Sequence, residues 1–172
     1  MSDFIPEWYE IPKTQSRFTK FEKDETTRVR VLPSWLDLDT IRYFEYFDTS
    51  WEKPKPIRSI KPFTETRWIR DWDKVKLVWS MKVWNYNEEC IQIMSISQKT
   101  IQQAIFDLYM DDDYKSPTWY DLKIKRTGDK LETKYSVIAW PVRDFEEDMG
   151  TDISIDWSGF LESESDIFKE AE

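Results

Sequence analysis

Cationic and aromatic side chains alternate along the stretch from Trp51 to Trp84. It holds nine basic residues against four acidic ones, and five of the ten tryptophans of the chain. Aromatic rings can stack on nucleic-acid bases while lysines and arginines contact the phosphates, and neither interaction requires a particular base sequence. The composition of this stretch therefore indicates a surface that binds single-stranded nucleic acid.

The candidate contact residues are of two kinds. Trp68 and Trp72 are four residues apart in a proline-broken segment, and a long irregular segment inside a compact domain is usually functional. The others are strand residues whose cations alternate with apolar neighbours. Any single tryptophan is more often a packing residue, so the prediction depends on the set lying on one surface. The predicted DNA-binding residues are Arg28, Arg30, Arg67, Trp68, Arg70, Trp72, Lys82, Trp84, Lys123 and Lys125.

The stretch from 76 to 110 contains the elements that must position these side chains. Apolar and polar residues alternate over 76–85, which predicts a strand with one buried face. A polar turn joins it to a second apolar strand over 90–96. Ser97 stands where an N-cap belongs, and apolar residues at helical spacing from Ile101 to Leu108 predict an amphipathic helix of about three turns.

Three further strands complete the predicted sheet. Alternation over 119–127 and over 133–138 predicts a hairpin with its turn at Gly128, and the alternating residues 28–32 predict an upstream strand. A helix after the third of five strands is the order of an OB barrel. The predicted fold class is mainly β, an OB-fold-like five-stranded Greek-key barrel with one helix between strands 3 and 4. A mixed antiparallel sheet with one packed helix is the alternative. The aromatic run 42–47 predicts another short strand or an extension of the barrel wall.

The composition argues against most catalytic chemistry. The chain has no histidine and one cysteine, which excludes imidazole base catalysis, histidine–cysteine zinc sites and an internal disulfide. Cys90 lies in an apolar strand, where a small buried hydrophobe is the simplest interpretation. Three glycines provide no Gly-rich phosphate loop. The run Asp111-Asp112-Asp113 could hold magnesium in a nuclease, but such a run at a helix end is more often a solvated loop. We expect no enzyme activity and no cofactor.

The negative charge is concentrated at the C-terminus. The formal net charge is −9, and residues 144–172 hold eleven acidic residues and one basic residue, a net of −10, which leaves +1 for residues 1–143. We expect this acidic C-terminal tail to be disordered, to occupy the basic groove when DNA is absent, and to bind partner proteins. A solubility tail is the alternative. The predicted partner-binding residues of the tail are Trp157, Phe160, Leu161, Ile167 and Phe168.

Three segments follow from these patterns: an N-terminal arm over 1–25, an OB-fold single-stranded DNA-binding domain over 26–143, and the acidic tail over 144–172. The arm packs either on its own barrel or on a neighbouring subunit, so self-association stays open. The start of the chain has no charged region followed by an apolar run, and no segment is long and apolar enough to cross a bilayer. We expect a cytoplasmic protein with no membrane partner.

The order of several motifs resembles a known protein family. The motifs are Arg28 to Leu32, Lys82 to Asn85, Ile91 to Ile105, Pro117 to Gly128 and Thr133 to Val137. Together they resemble the single-stranded DNA-binding proteins of tailed phages, which are small OB-fold proteins. The resemblance implies sequence-independent binding of single strands during phage DNA replication, recombination or repair. It also implies an acidic tail that contacts replication or recombination proteins.

Two features depart from that family and its bacterial counterparts. Some relatives carry a zinc site, which a chain with no histidine and one cysteine cannot form in that way. Bacterial single-strand binders end in a short apolar tip, whereas this chain ends in Phe168-Lys169-Glu170-Ala171-Glu172.

A protein-binding inhibitor that imitates DNA with its acidic surface is the alternative function.

Overall fold

The computed structural model of the chain describes residues 17–33, 40–50, 52–62, 75–140, 153–164 and 166–170. A seven-stranded antiparallel sheet and a two-stranded sheet contain the described strands. The large sheet consists of β1 (Thr26–Val31), β2 (Ile41–Asp48), β3 (Lys55–Ser59), β4 (Lys76–Asn85), β5 (Cys90–Ile96), β6 (Asp121–Thr127) and β7 (Lys134–Ala139). The remaining elements are α1 (Lys99–Met110), a 3-10 turn (Lys130–Glu132), β8 (Ile153–Ile155), α2 (Trp157–Leu161) and β9 (Phe168–Glu170).

The long strand β4 organises the large sheet. Its first half pairs with β2, its last residues pair with β1, and β5 pairs along it from Trp79 to Asn85. The path through the described strands of this sheet is β3-β2-β4-β1-β6-β7, and among them β5 pairs with β4 alone. The predicted mainly β fold is confirmed, and the predicted strands β1, β2, β4, β5, β6 and β7 are found within one or two residues of their expected ends.

Closure of a five-stranded barrel is not confirmed. Within the described residues, β4 is the only strand that pairs with β5 and β6 is the only strand that pairs with β7, so the sheet stays open. The outer edge of β5 is used by residues just before β1 instead. The amide of Thr19 donates to the carbonyl of Ile93 over 3.0 Å, and the Ile93 amide donates to the Arg17 carbonyl over 2.8 Å.

The helix α1 covers one face of the sheet. Ile101 and Ile105 are buried against the apolar side chains of β1, β4, β5 and β6. The side-chain amide of Gln102 donates to the carbonyls of Leu77 and Ile96, which fixes the helix to both strands of the hairpin. The predicted N-cap Ser97 is wrong by one residue, because Gln98 holds this position and makes no side-chain capping hydrogen bond.

The C-terminal segment 153–170 covers part of the opposite face, so the prediction of a disordered tail is wrong for its described residues. Trp157, Phe160 and Ile167 are buried in a second apolar cluster with Tyr43, Val78 and Ile93 of the sheet. Leu161 and Phe168 pack beside it. The acidic composition hid this packing, because burial of the apolar side chains leaves Glu162, Glu164 and Asp166 on the solvent side. Residues 141–152 lie outside the described residues.

Consequently, three of the five predicted partner-binding residues of the tail are not accessible. Trp157, Phe160 and Ile167 are buried within this chain, and a partner protein could reach them only if the segment detached. Asp156 also stabilises the segment, because its side chain accepts a hydrogen bond of 3.0 Å from the Gly159 amide at the start of α2.

Strand β3 was not predicted, because proline 56 lies within it. A proline is tolerated in an edge strand, where its missing N–H is not needed for pairing. Among the described strands, β3 is the last at one end of the sheet and pairs with β2 alone. No helix among the described residues is long and apolar enough to span a membrane.

Candidate nucleic-acid interface

Asp121 is the centre of a polar network at the start of β6. It is fully buried, and the pairing of β1 with β6 places Arg30 opposite Asp121 and Arg28 opposite Lys123. Nε of Arg28 donates to Oδ2 of Asp121 over 3.0 Å, and Nε of Arg30 donates to Oδ1 over 2.8 Å. The Tyr86 hydroxyl donates to the same Oδ1 over 3.0 Å.

These donors keep Asp121 ionised. Burial alone would raise the pKa of this carboxyl, but the hydrogen bonds and charges of Arg28 and Arg30, with the hydroxyl of Tyr86, hold the pKa below its usual value. A buried carboxylate that binds two arginines fixes their guanidinium groups at this end of the sheet.

Arg28 also contacts two aromatic rings. Its guanidinium carbon lies 4.2 Å from the ring centre of Tyr86 and 4.6 Å from that of Trp140. Nζ of Lys123 lies 4.1 Å from the ring centre of Trp140. These distances are typical of cation–π contacts. We call Arg28, Tyr86, Lys123 and Trp140 the cation–ring cluster.

The cation–ring cluster lies on the sheet face that α1 leaves uncovered. Leu122 and Ile124 of β6 are buried in the core beneath α1, so the alternating residues Lys123 and Lys125 point to the opposite face. Lys125 is exposed, and all four members of the cluster are partly accessible. Two partly exposed rings among three cations can stack on bases and contact phosphates.

Two predicted contact residues are buried, which corrects their predicted role. Arg30 is 1% exposed and Lys82 is 8% exposed. Arg30 is held by Asp121, while Lys82 is paired in register with Ile93 of the second apolar cluster. Burial lowers the pKa of Lys82. The alternation of β4 had suggested a solvent-facing side, but the C-terminal segment packs against that side.

The other predicted strand residues remain accessible. Arg28 and Lys123 belong to the cation–ring cluster, and Lys125 follows two residues later on the same face. Trp84 is half-buried and lies opposite Arg30 in the pairing of β1 with β4. Four predicted contact residues lie outside the described residues, and their roles stay predictions: Arg67, Trp68, Arg70 and Trp72.

The sequence analysis did not identify Tyr86 and Trp140. The strand pairing contains the missing signal: Lys123 lies opposite Ile138, and Trp140 continues the alternation of β7 by two residues. The Trp140 amide donates to the Asp121 carbonyl over 3.0 Å, which extends this pairing. A cross-strand comparison of β6 with the residues after β7 would have placed Trp140 beside Lys123.

The described residues offer no arrangement that suggests metal chemistry. Among them, no group of three or more histidine, cysteine, aspartate or glutamate side chains is placed to hold a metal ion. Asp111, Asp112 and Asp113 are exposed, and Lys115 forms an ion pair with Asp112. Burial raises the pKa of the Cys90 thiol, which lowers its thiolate fraction.

Comparisons of this chain with protein-family models, with curated proteins and with solved structures find no match. The functional assignment therefore depends on the geometry of the site.

Proposed function

We propose that this protein binds single-stranded DNA without sequence preference and acts in phage DNA replication, recombination or repair. The observation that supports this proposal is the cation–ring cluster on the sheet face that α1 leaves uncovered. In the proposed complex, bases stack on Trp140 and Tyr86, and phosphates contact Arg28, Lys123 and the exposed Lys125.

The strand order supports a finer fold assignment, which is also a proposal. The strands β1, β4, β5, β6 and β7 occur in the order strand, strand, strand, α1, strand, strand. Their neighbours in the sheet follow β5-β4-β1-β6-β7. We propose that these five strands are an OB-type sheet that is open between β5 and β7, with the β2–β3 hairpin as an insertion.

The proposed contacts imply a measurable salt dependence. Each neutralised phosphate of a single strand contributes about −0.7 to the slope of log K against log salt, so three cations give about −2. Affinity should then fall roughly twentyfold between about 50 and 200 mM salt. Contacts from residues 63–74 would make the slope steeper. A slope near zero would contradict phosphate binding.

We propose that the C-terminal segment limits access of DNA to the sheet. It packs on Val78, which shares a strand face with Trp84, and Trp84 lies opposite Arg30 in the sheet. Its exposed carboxylates then repel phosphates that approach from β4.

Two neutralising substitutions test this role of the segment while its apolar contacts stay intact. Glu162→Gln together with Asp166→Asn should tighten DNA binding at low salt, and the difference should shrink as salt screens the charges. Equal or weaker binding by this variant would contradict competition by the segment. Deletion of 144–172 is a less specific test, because it also exposes the second apolar cluster.

A fluorescence titration with oligothymidine tests the proposed function. Tryptophan emission should be quenched and should saturate at a fixed number of nucleotides per protein, because bases stack on tryptophan. The second candidate, an acidic DNA mimic that binds another protein, is favoured by one observation: the folded segment 153–170 displays Glu162, Glu164 and Asp166 on its surface. That function predicts no response to oligothymidine at any salt concentration.

A further inference from the structure

The last turns of α1 expose an apolar surface that nothing in the described chain covers. Phe106, Tyr109 and Met110 are 49%, 55% and 62% exposed. Residues three and four apart lie side by side on a helix, so these side chains form one continuous patch. Exposed aromatic residues and methionine grouped in this way are characteristic of protein-binding surfaces.

Carboxylates surround this patch. Asp107 lies within it, Asp111 is the C-cap of α1, and Asp112 and Asp113 follow. The last turn of α1 contains no basic residue. Carboxylates at the negative end of the helix dipole destabilise the helix. We call this surface, Phe106 to Asp113, the acidic helix end.

A cleft of about 670 Å³ lies at the other end of the sheet. Phe18, Pro54, Pro56 and Ile167 give it apolar walls, and Lys53, Lys55 and Arg58 give it cations. Glu52 and Glu164 also line the cleft, so its charge is mixed. We call this surface the β3 cleft.

The cations of the β3 cleft differ in how they are held. Arg58 is fixed, because its Nε donates to Glu45 over 2.8 Å and a terminal nitrogen donates to the Phe160 carbonyl over 2.7 Å. Lys53 and Lys55 are exposed and form no ion pair with any described residue. These two lysines can therefore pair with an incoming carboxylate without losing a partner.

We propose that the acidic helix end of one copy of this chain docks in the β3 cleft of a second copy. The two surfaces match in chemistry: aromatic residues and methionine meet a cleft with apolar walls, and aspartates meet lysines. Asp112 exchanges its exposed ion pair with Lys115 for one with the cleft. A helix that places an apolar stripe in a groove is a recurrent mode of protein recognition. This inference does not depend on the proposed binding of DNA.

The positions of the two surfaces favour contact between molecules over contact within one. Of the described strands, β7 comes closest to the backbone of α1 and is the last strand at one end of the sheet, whereas β3 is the last described strand at the other end. Because two different surfaces are joined, each added copy leaves one surface of each kind unused. Such head-to-tail contacts produce chains or rings rather than a symmetric dimer.

Two charge-reversed variants test the proposal on the full chain. Asp112→Lys with Asp113→Lys changes the acidic helix end, and lysine at a helix C-terminus is favourable for the helix itself. Lys53→Glu with Lys55→Glu changes the β3 cleft at exposed positions. Glu88→Lys with Glu89→Lys is the control for the first variant, because it makes the same change of net charge on the β4–β5 turn.

Sedimentation velocity at rising protein concentration is the measurement. The wild-type chain and the Glu88/Glu89 control should exceed the mass of a dimer at low salt, and both should dissociate at high salt. Each of the other two variants should stay monomeric when alone. Mixed in equal amounts, they should associate again and form species of at least twice 21.0 kDa, because the first variant keeps an intact β3 cleft and the second keeps an intact acidic helix end.

Four results would overturn the proposal. The first is a wild-type chain that is monomeric at every concentration, and the second is a mixture of the two variants that stays monomeric. The third is association that survives Asp112→Lys with Asp113→Lys. If Lys53→Glu with Lys55→Glu weakens only the binding of oligothymidine, the β3 cleft binds nucleic acid and the proposed occupant is wrong. Near-ultraviolet circular dichroism of each variant shows whether it keeps the wild-type fold.

Discussion

Replacement of Asp121 by asparagine removes one negative charge from the centre of the polar network. Asparagine has nearly the same shape but keeps one acceptor oxygen, so its uncharged NH2 group faces the donors of Arg28 or of Arg30 and Tyr86. The side chains of Asp121 and Arg30 are 0% and 1% exposed, so the substitution removes a buried charge that pairs with Arg30. Breaking a buried pair in this way costs about 3–5 kcal/mol. The contact with Arg28 adds less, because that side chain is partly exposed and solvent screens it.

Urea denaturation followed by tryptophan fluorescence measures this loss. With a slope of about 2 kcal/mol per molar urea, a loss of about 4 kcal/mol lowers the unfolding midpoint by about 2 M. Asp129→Asn is the matched control, because Asp129 pairs with Lys23 on the surface and should change the free energy of unfolding by about 1 kcal/mol or less. If Asp121→Asn costs no more than this control, the buried network does not stabilise the sheet as described.

Three further predictions concern stability. The pKa of Asp121 is lower in the folded than in the unfolded protein, so its charge stabilises the fold above the unfolded pKa of about 4. This stabilisation is lost as the pH falls through the folded pKa. When the protein is unfolded by acid, Asp121→Asn should lack this decrease in the free energy of unfolding. Gly128→Ala should lower the melting temperature, with a cost above about 1 kcal/mol, because φ is +79° and a Cβ would lie 2.2 Å from the Glu132 carbonyl oxygen; an unchanged melting temperature would contradict this turn geometry. Phe160→Ala should cost about 3–5 kcal/mol in chemical denaturation, whereas a loosely attached C-terminal segment would show almost no loss.

The strand pattern was predictable where one face of an element is buried and the other is polar. Lys76–Asn85, Cys90–Ile96 and the hairpin at Gly128 follow this pattern, and their positions agree with the sequence analysis. β3 was not predictable in the same way, because a proline in an edge strand resembles a proline in a loop. Sheet closure depends on which segment occupies the edge of β5, and local alternation contains no information about that.

The fold of the C-terminal segment was hidden by its charge. The composition of the segment is dominated by its acidic residues and therefore predicted disorder. Packing depends instead on whether Trp157, Phe160 and Ile167 reach one apolar surface. The same packing lies on the face of β4 that holds Lys82, which looks solvent-facing from β4 alone.

The candidate site was predictable in its cations but not in its rings. Arg28 and Lys123 lie on alternating strands, so their common face follows from the period of two. Trp140 and Tyr86 lie just outside strands, and only the register that pairs β6 with β7 and β1 with β4 brings them to Arg28.

The affinity of Trp140→Leu for a short labelled oligothymidine tests the central claim most directly. Fluorescence anisotropy of the labelled strand reports binding without relying on the removed tryptophan, and Tyr109→Leu is the control, since it removes an exposed ring on α1 at the opposite sheet face. Loss of one stacking partner worth about 1–3 kcal/mol predicts binding roughly 5-fold to 150-fold weaker for Trp140→Leu, and wild-type affinity for the control. Equal affinities of the wild-type chain and Trp140→Leu would contradict the assignment of the cation–ring cluster as the DNA-binding site.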